Sequence, residues 1–383
     1  MSRCGQPLRR LWGALAAAAL SGLLQVLVFP RFSWAWLAPL CLVPLLVALP
    51  GLGLRARFAA GLLAGSVYWG GTCYWVYAVM RDYAGIHPLV AGLLYVACFL
   101  AMALQTGAFG ALAGPLLQRP WAAPFAAALW VALEGTYQYL LFTWIQLGTA
   151  ALDFPLPQIL RLAPWAGSYG PSLVFALANA AIAVAILQGS PRPLLALAPL
   201  GGLFLLPPLA SPGPQRATAR LLQPNVHPDL VRSGWLAEHG TAHLARMLEM
   251  SKPAAAGEPP ELLVWPEYPV PAYYFDDEAS RGFLERVAQE SGAAFIFNTI
   301  SFEGGDRARP RNSSVTLGRN GEMLSSYSKI HLVPFGEFVP WPFHFFVRKI
   351  TLQAGMFRPG KRISVAQLDG RGIGTFICYE SAF

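Results

Sequence analysis

Charge is scarce in this chain. Of its 383 residues only 13% are charged, about half the share usual in a soluble domain. The scarcity is local. Residues 1–210 contain no Lys, ten Arg and three acids, Asp82, Glu134 and Asp153, while residues 211–383 hold the other eighteen basic and seventeen acidic side chains. A half so poor in charge cannot clothe a soluble fold, so with a mean hydropathy of +0.44 for the whole chain it reads as a membrane domain. Clustered basic residues are lacking too. The formal charge is +8, but the basic side chains stand singly between apolar runs, which excludes a nucleic-acid footprint. Paired cysteines are absent as well. The five are Cys4, Cys41, Cys73, Cys98 and Cys378, none in a CxxC pair, so neither a zinc ribbon nor a thioredoxin-like site is supported. His239 and His243 are four apart on an expected helix, but Gly240 stands where a zinc-protease motif needs Glu and no third ligand is in view. No metal and no other cofactor is expected.

What is present in the first half is a series of apolar runs. A helix needs ~20 apolar residues to cross a bilayer. Seven segments approach this: Leu11–Phe29, Trp34–Leu49, Phe58–Met80, Leu89–Leu112, Trp121–Leu141, Pro171–Leu187 and Leu194–Leu209. The second carries Pro39 and Pro44, and the last is interrupted by Gly201, Gly202, Pro207 and Pro208. With the N-terminus in the cytoplasm, seven Arg lie on the inner side and Arg31, Arg81 and Arg161 on the outer, which follows the positive-inside rule. An odd number of spans then brings residues 211–383 out on the non-cytoplasmic face. Gly61 and Gly65 at GxxxG spacing point to close helix packing. Glu134 is either functional and paired within a span or sits at the interface where that span ends.

The polar half begins after the linker Ser211–Gln215. Its patterning predicts strands over Ala217–Asn225, Leu262–Trp265, Ala293–Ile300, Ser313–Leu317, Met323–Ser328, Ile363–Leu368 and Gly374–Cys378, and amphipathic helices over Leu236–Met250 and Glu278–Glu290. Such alternation followed by hairpins is an α/β layered sandwich.

Three polar residues stand at strand ends beside rigid apolar sequence: Glu267 after LLVWP, Lys329 before IHLVP, and Cys378 after GTFI. A thiol is a nucleophile as its thiolate, which a nearby cation favours. A carboxylate can take the thiol proton and return it. An ammonium can hold a tetrahedral oxyanion. Glu, Lys and Cys together supply what acyl transfer needs, although spacing alone leaves open a packing thiol and two surface charges.

Residues 262–267 (LLVWPE), 329–340 (KIHLVPFGEFVP) and 377–380 (ICYE) resemble the three signature segments of the apolipoprotein N-acyltransferases, membrane-embedded members of the nitrilase superfamily. The order Glu, Lys, Cys and the separations of 62 and 49 residues are also similar to that family. So are WVY at Trp75–Tyr77, WVALE at Trp130–Glu134 and WIQLG at Trp144–Gly148 in the apolar half. The resemblance covers essentially the whole chain. It implies a multi-span α-helical membrane domain (1–210) followed by a nitrilase-like α-β-β-α sandwich (211–383).

The same resemblance implies Glu267 as general base and acid, Lys329 as support of the tetrahedral intermediate and Cys378 as the acylated nucleophile. Glu337 matches a second active-site glutamate, Tyr379 and Glu380 match the residues that follow the nucleophile, and Trp235 matches a tryptophan on a substrate loop. The implied reaction moves an acyl chain from a membrane phospholipid to the amino group of a diacylated apolipoprotein. The implied setting is the bacterial inner membrane, with a periplasmic catalytic domain on a monomer. Family members continue beyond the position of Phe383 with the rest of the sandwich and a final span, so the domain is expected to be incomplete here. A membrane-tethered amidase using the same triad, and an inactive truncated homologue, are the alternatives.

Overall fold

The computed structural model describes residues 5–83, 85–119, 121–137, 144–209, 217–226, 235–253, 259–267, 273–302, 309–334, 336–339 and 357–382. The chain divides into two compact units, Met1–Ser211 and Pro212–Phe383.

The first unit is helical. Its elements are α1 (Gly5–Val28), α2 (Val43–Ala48), α3 (Leu54–Thr72), α4 (Trp75–Ala78), α5 (Pro88–Leu116), α6 (Ala122–Glu134), α7 (Ala163–Ala166) and α8 (Tyr169–Gln188), joined by 3-10 turns and a π-turn. Among the described residues, three helices are long and apolar enough to cross a membrane: Arg9–Val28, Pro88–Leu116 and Tyr169–Gln188. The outer stripe of α5, Leu89, Leu93, Val96, Leu100 and Leu104, is exposed. A row of large aliphatic side chains on one helix face is unfavourable in water and suits acyl chains.

Among the described residues, four of the seven expected segments are not single long helices. Trp34–Leu49 breaks into a 3-10 turn, Ala35–Leu37, and the six-residue α2, because Pro39 and Pro44 each remove a backbone donor. Phe58–Met80 divides at Cys73, where α3 ends. Trp121–Leu141 becomes the 13-residue α6, with residues 138–143 outside those described. Leu194–Leu209 is a 3-10 run, Arg192–Phe204. Polar side chains repair the broken backbone. Asn179 of α8, fully buried, accepts from Leu42 N at 2.7 Å and donates to the Ala38 carbonyl at 2.7 Å. Glu134 is buried rather than interfacial: one oxygen accepts from Trp130 Nε1 at 2.8 Å and from Leu147 N at 2.7 Å, pinning the 3-10 segment Leu147–Leu152. A Cβ on Gly61 would collide with the Thr106 carbonyl oxygen, so the glycine face of α3 brings its backbone directly against α5.

The second unit is built on a five-stranded mixed sheet of order β1-β2-β3-β4-β5. The strands are β1 (Ala219–Leu221), β2 (Leu262–Val264), β3 (Ala294–Ser301), β4 (Arg311–Leu317) and β5 (Met323–Ser328). β1, β2 and β3 run parallel through the helices α9 (Trp235–Ser251) and α10 (Glu278–Ser291), and β4 and β5 return antiparallel. Asp277 caps α10 by accepting from Ser280 N at 2.9 Å, and Gly292 ends it in the left-handed region. Met247, Leu263, Trp265, Leu284, Phe295 and Phe297 form the centre of the core.

A separate hairpin, β6 (Val365–Leu368) with β7 (Arg371–Gly374), turns through Asp369 and Gly370, both at positive φ. That is the type I′ turn that a two-residue Asp-Gly loop favours. The hairpin shifts the last strand toward the N-terminus. The expected strand Gly374–Cys378 is replaced by β7, and Cys378 opens a 3-10 turn, Cys378–Ala382.

Candidate active site

The site collects at the ends of β2 and β5 and in the turn after β7. β2 runs on into Trp265, whose backbone N–H donates to Ile296 O at 2.9 Å and whose indole N–H donates to Ser251 Oγ at 3.0 Å. These bonds hold the segment up to Pro266, which delivers Glu267 at the strand end. Lys329 follows β5 directly. Its backbone N–H donates to Asn312 O at 2.8 Å, and its carbonyl accepts from Gly360 N at 2.7 Å. Gly360 has no room for a Cβ, which would overlap the Ser328 carbonyl. Glu337 closes the next loop on itself: its backbone N–H donates to Val333 O at 2.9 Å, while its Oε2 accepts from Val333 N at 2.8 Å.

The Lys329 side chain is only 1% exposed, and its Nζ lies 2.9 Å from Glu337 Oε2 and 3.8 Å from Glu267 Oε1. A buried ammonium is tolerable only when paired, and here two carboxylates face one cation. Asn312, fully buried on β4, relieves the excess acceptors. Its Nδ2 donates to Glu267 Oε1 at 2.8 Å and to Glu337 Oε1 at 2.7 Å. Its Oδ1 accepts from Asn298 Nδ2 at 2.6 Å.

Cys378 is a free, exposed cysteine whose thiol lies within electrostatic reach of the Glu267 carboxylate and the Lys329 ammonium. Desolvation of the sulfur raises the thiol above its ordinary value, the Glu267 charge raises it further, and Lys329 opposes both. Cys378 therefore rests as a protonated thiol beside a carboxylate. Its φ of 51° is left-handed, a conformation costing a non-glycine residue ~1–3 kcal/mol and concentrated at functional turns.

Glu380 holds that turn. Its Oε2 accepts from Ile377 N at 2.9 Å, and its Oε1 accepts from Tyr327 OH at 2.6 Å, Ile330 N at 2.7 Å and His331 N at 3.0 Å. Burial alone would raise the Glu380 carboxyl, but these donors outweigh it and keep the group below its ordinary range. One ionised carboxylate thus ties the nucleophile turn to the segment that carries Lys329.

Glu267, Lys329, Glu337 and Cys378 therefore converge, Glu380 braces them from behind, and Tyr379 is half-buried in the same turn. Trp235 is the first residue of α9, and its side chain lies outside the described residues, as does that of His239. His243 is buried. Asn312 and Asn298 are the polar residues that sequence patterning passed over. Asn298 lies on β3, AFIFNTIS, and Asn312 on β4, RNSSVTL, where only the folded sheet brings them together.

Residues 21–181 match the family model for the apolipoprotein N-acyltransferase N-terminal domain, and residues 219–383 match that for carbon-nitrogen hydrolases. Over 391 residues the chain is 30% identical to an apolipoprotein N-acyltransferase of Geobacter metallireducens, covering 96% of this chain and 73% of that protein. The chain belongs to the apolipoprotein N-acyltransferase family. A second member, the putative apolipoprotein N-acyltransferase of Bordetella parapertussis, is 33% identical over 100% of this chain and 78% of its own length. Membership makes this an acyltransferase of the nitrilase superfamily and its second unit a carbon-nitrogen-hydrolase fold. Among solved structures, an amidase from Nesterenkonia sp. AN1 is similar over 44% of this chain and 56% of its own, at 21% identity and a TM-score of 0.25, too distant to bear on the site.

Proposed function

We propose that the chain moves an acyl group from a glycerophospholipid through a Cys378 thioester to the α-amino group of a diacylglyceryl-cysteine on a lipoprotein. One observation carries the chemistry: the Glu267 carboxylate lies 3.8 Å from the buried Lys329 ammonium, and both charges act on the Cys378 thiol. In the first half-reaction the sulfur attacks the ester carbonyl as its proton passes to Glu267, and Lys329 stabilises the oxyanion. The ester C–O bond breaks, Glu267 returns the proton to the leaving alkoxide, and lysophospholipid departs. In the second, the lipoprotein amine attacks the thioester, Glu267 takes the amine proton, the C–S bond breaks, and the thiolate recovers the proton. The product is an amide.

Both substrates carry acyl chains, and a membrane-embedded unit with exposed aliphatic helix faces admits them without transit through water, which would cost ~0.8 kcal/mol per CH₂. The Arg distribution supports a cytoplasmic N-terminus and a catalytic unit on the outer face of the inner membrane. The short helix α6 and the 3-10 run Arg192–Phe204 would then complete the crossings, with Phe125, Leu195 and Phe204 exposed to lipid. Glu337, Tyr379, Glu380 and Trp235 would serve the site as its supporting residues.

The test supplies detergent-solubilised protein with acyl-labelled phosphatidylethanolamine and a diacylated lipopeptide. The expected outcome is label in amide linkage on the lipopeptide. Label appearing only as free fatty acid, with lipopeptide present, would replace this reading with a hydrolase.

A further inference from the structure

We propose that Asn298 and Asn312 form a positioning relay that fixes the hydrogen bonding of the two carboxylates Glu267 and Glu337. The proposal rests on the assignment of Glu267 as the base. Neither asparagine is among the sequence signatures. They lie on adjacent antiparallel strands, with Asn298 paired to Ser314 and Asn312 paired to Ile300, so they are diagonal neighbours across one pair of strands, within reach of side-chain contact. Both are buried, Asn298 at 6% exposure and Asn312 at 0%.

The direction of the relay follows from chemistry. Ionised Glu267 and Glu337 only accept hydrogen bonds, so the Asn312 group facing both, at 2.8 and 2.7 Å, must be its NH₂. That leaves the Asn312 carbonyl facing Asn298, which must answer with its own NH₂, at 2.6 Å. Asn298 is held in that sense by a second donation, to the Ser313 carbonyl at 2.9 Å. The chain of donors runs from the backbone of β4 outward to the two carboxylates without a free choice at any step. A reversed Asn312 amide would set a carbonyl oxygen against two anions. Serine at 312 has a single hydroxyl proton and cannot serve both. The amide thus bridges the same two acids that face the Lys329 ammonium at 2.9 and 3.8 Å.

Hydrogen bonds to the ionised form lower a carboxyl pKa. Loss of the relay is therefore expected to move the acid limb of acylation to higher pH. The experiment measures single-turnover acyl-enzyme formation from labelled phosphatidylethanolamine against pH, in the full chain, for wild type, Asn312→Leu, Asn298→Leu and Asn298→Asp. Thermal transitions identify variants that have not folded. Asn312→Leu is expected to move the acid limb up by about one pH unit, read as up to about tenfold slower acylation on that limb with a smaller loss on the plateau. Asn298→Asp is the sharper test, because it touches neither glutamate. Its acceptor-only carboxylate turns the Asn312 NH₂ inward and presents the carbonyl to the acids, so the limb should move in the same direction. Asn298→Leu removes the orienting donor without adding charge and should fall between wild type and Asn312→Leu. It keeps the test open if the aspartate variant does not fold. Slower acylation with an unmoved limb in folded Asn298 and Asn312 variants would mean packing alone and overturns the relay. A wild-type protein that forms no acyl-enzyme overturns instead the base assignment on which the relay depends.

Discussion

Lys329→Met is expected to abolish acyl transfer and to destabilise the catalytic unit together. Lys329 is the cation shared by Glu337, at 2.9 Å, and Glu267, at 3.8 Å, and its side chain is 1% exposed. Deleting one member of a buried ionic group typically costs ~3–5 kcal/mol, because the remaining charge stays buried without its partner. Here two carboxylates would remain without their cation, bridged only by the Asn312 amide. Acylation also loses its oxyanion partner, an effect on the order of 10²–10³ in rate. The two losses separate in a double variant. Adding Glu337→Gln to Lys329→Met removes one orphaned charge, so thermal stability in detergent should recover in part while acyl-enzyme formation stays absent. A Lys329→Met protein with near wild-type acylation would remove Lys329 from the mechanism.

Glu267→Gln should split two kinds of thiol chemistry that a simple loss of function would not. The Cys378 thiol is held high by desolvation first and by the Glu267 charge next, with Lys329 opposing. Neutralising Glu267 removes a term that disfavours the thiolate, so alkylation of Cys378 by iodoacetamide should become faster near neutral pH, its profile moving to lower pH. Lys329→Met should move the same profile the other way. Acyl transfer should nevertheless fall ~10²–10⁴-fold in Glu267→Gln, because the proton must still be carried to the leaving alkoxide. An alkylation profile that moves upward, or transfer that survives, contradicts the role given to Glu267.

The site was legible wherever a chemically distinctive residue ends a short rigid segment. Glu267 follows a buried strand and a proline, and Lys329 follows a strand and precedes another rigid run. Cys378 stands out as a candidate by the same logic, but its setting does not. The Asp369–Gly370 turn places β7 early, and the thiol is presented from a left-handed turn locked by Glu380 rather than from a strand end. Asn298 and Asn312 were not legible, because asparagine in a strand has no chemical signature of its own. Only the structure brings it against two carboxylates. In the apolar half, hydropathy found the segments but not their form. Transfer free energy counts residues, whereas helix continuity depends on each backbone donor, and Pro39 and Pro44 leave a 3-10 turn and α2 pinned by Asn179. Glu134 looked like either a functional or an interfacial acid, and it is a buried peg for the Leu147–Leu152 segment.

The most direct measurement of the central assignment is the mass of the Cys378 peptide after the detergent-solubilised protein is incubated with phospholipid and no acceptor. The expected result is one fatty-acyl group on Cys378, released by hydroxylamine, lost on addition of a diacylated lipopeptide, and absent in Cys378→Ala. Cys378→Ser should trap little or none, since its hydroxyl is far harder to ionise beside the same Glu267 and Lys329. An unmodified Cys378 peptide from a protein that still moves label to the lipopeptide, or undiminished transfer by Cys378→Ala, would contradict it.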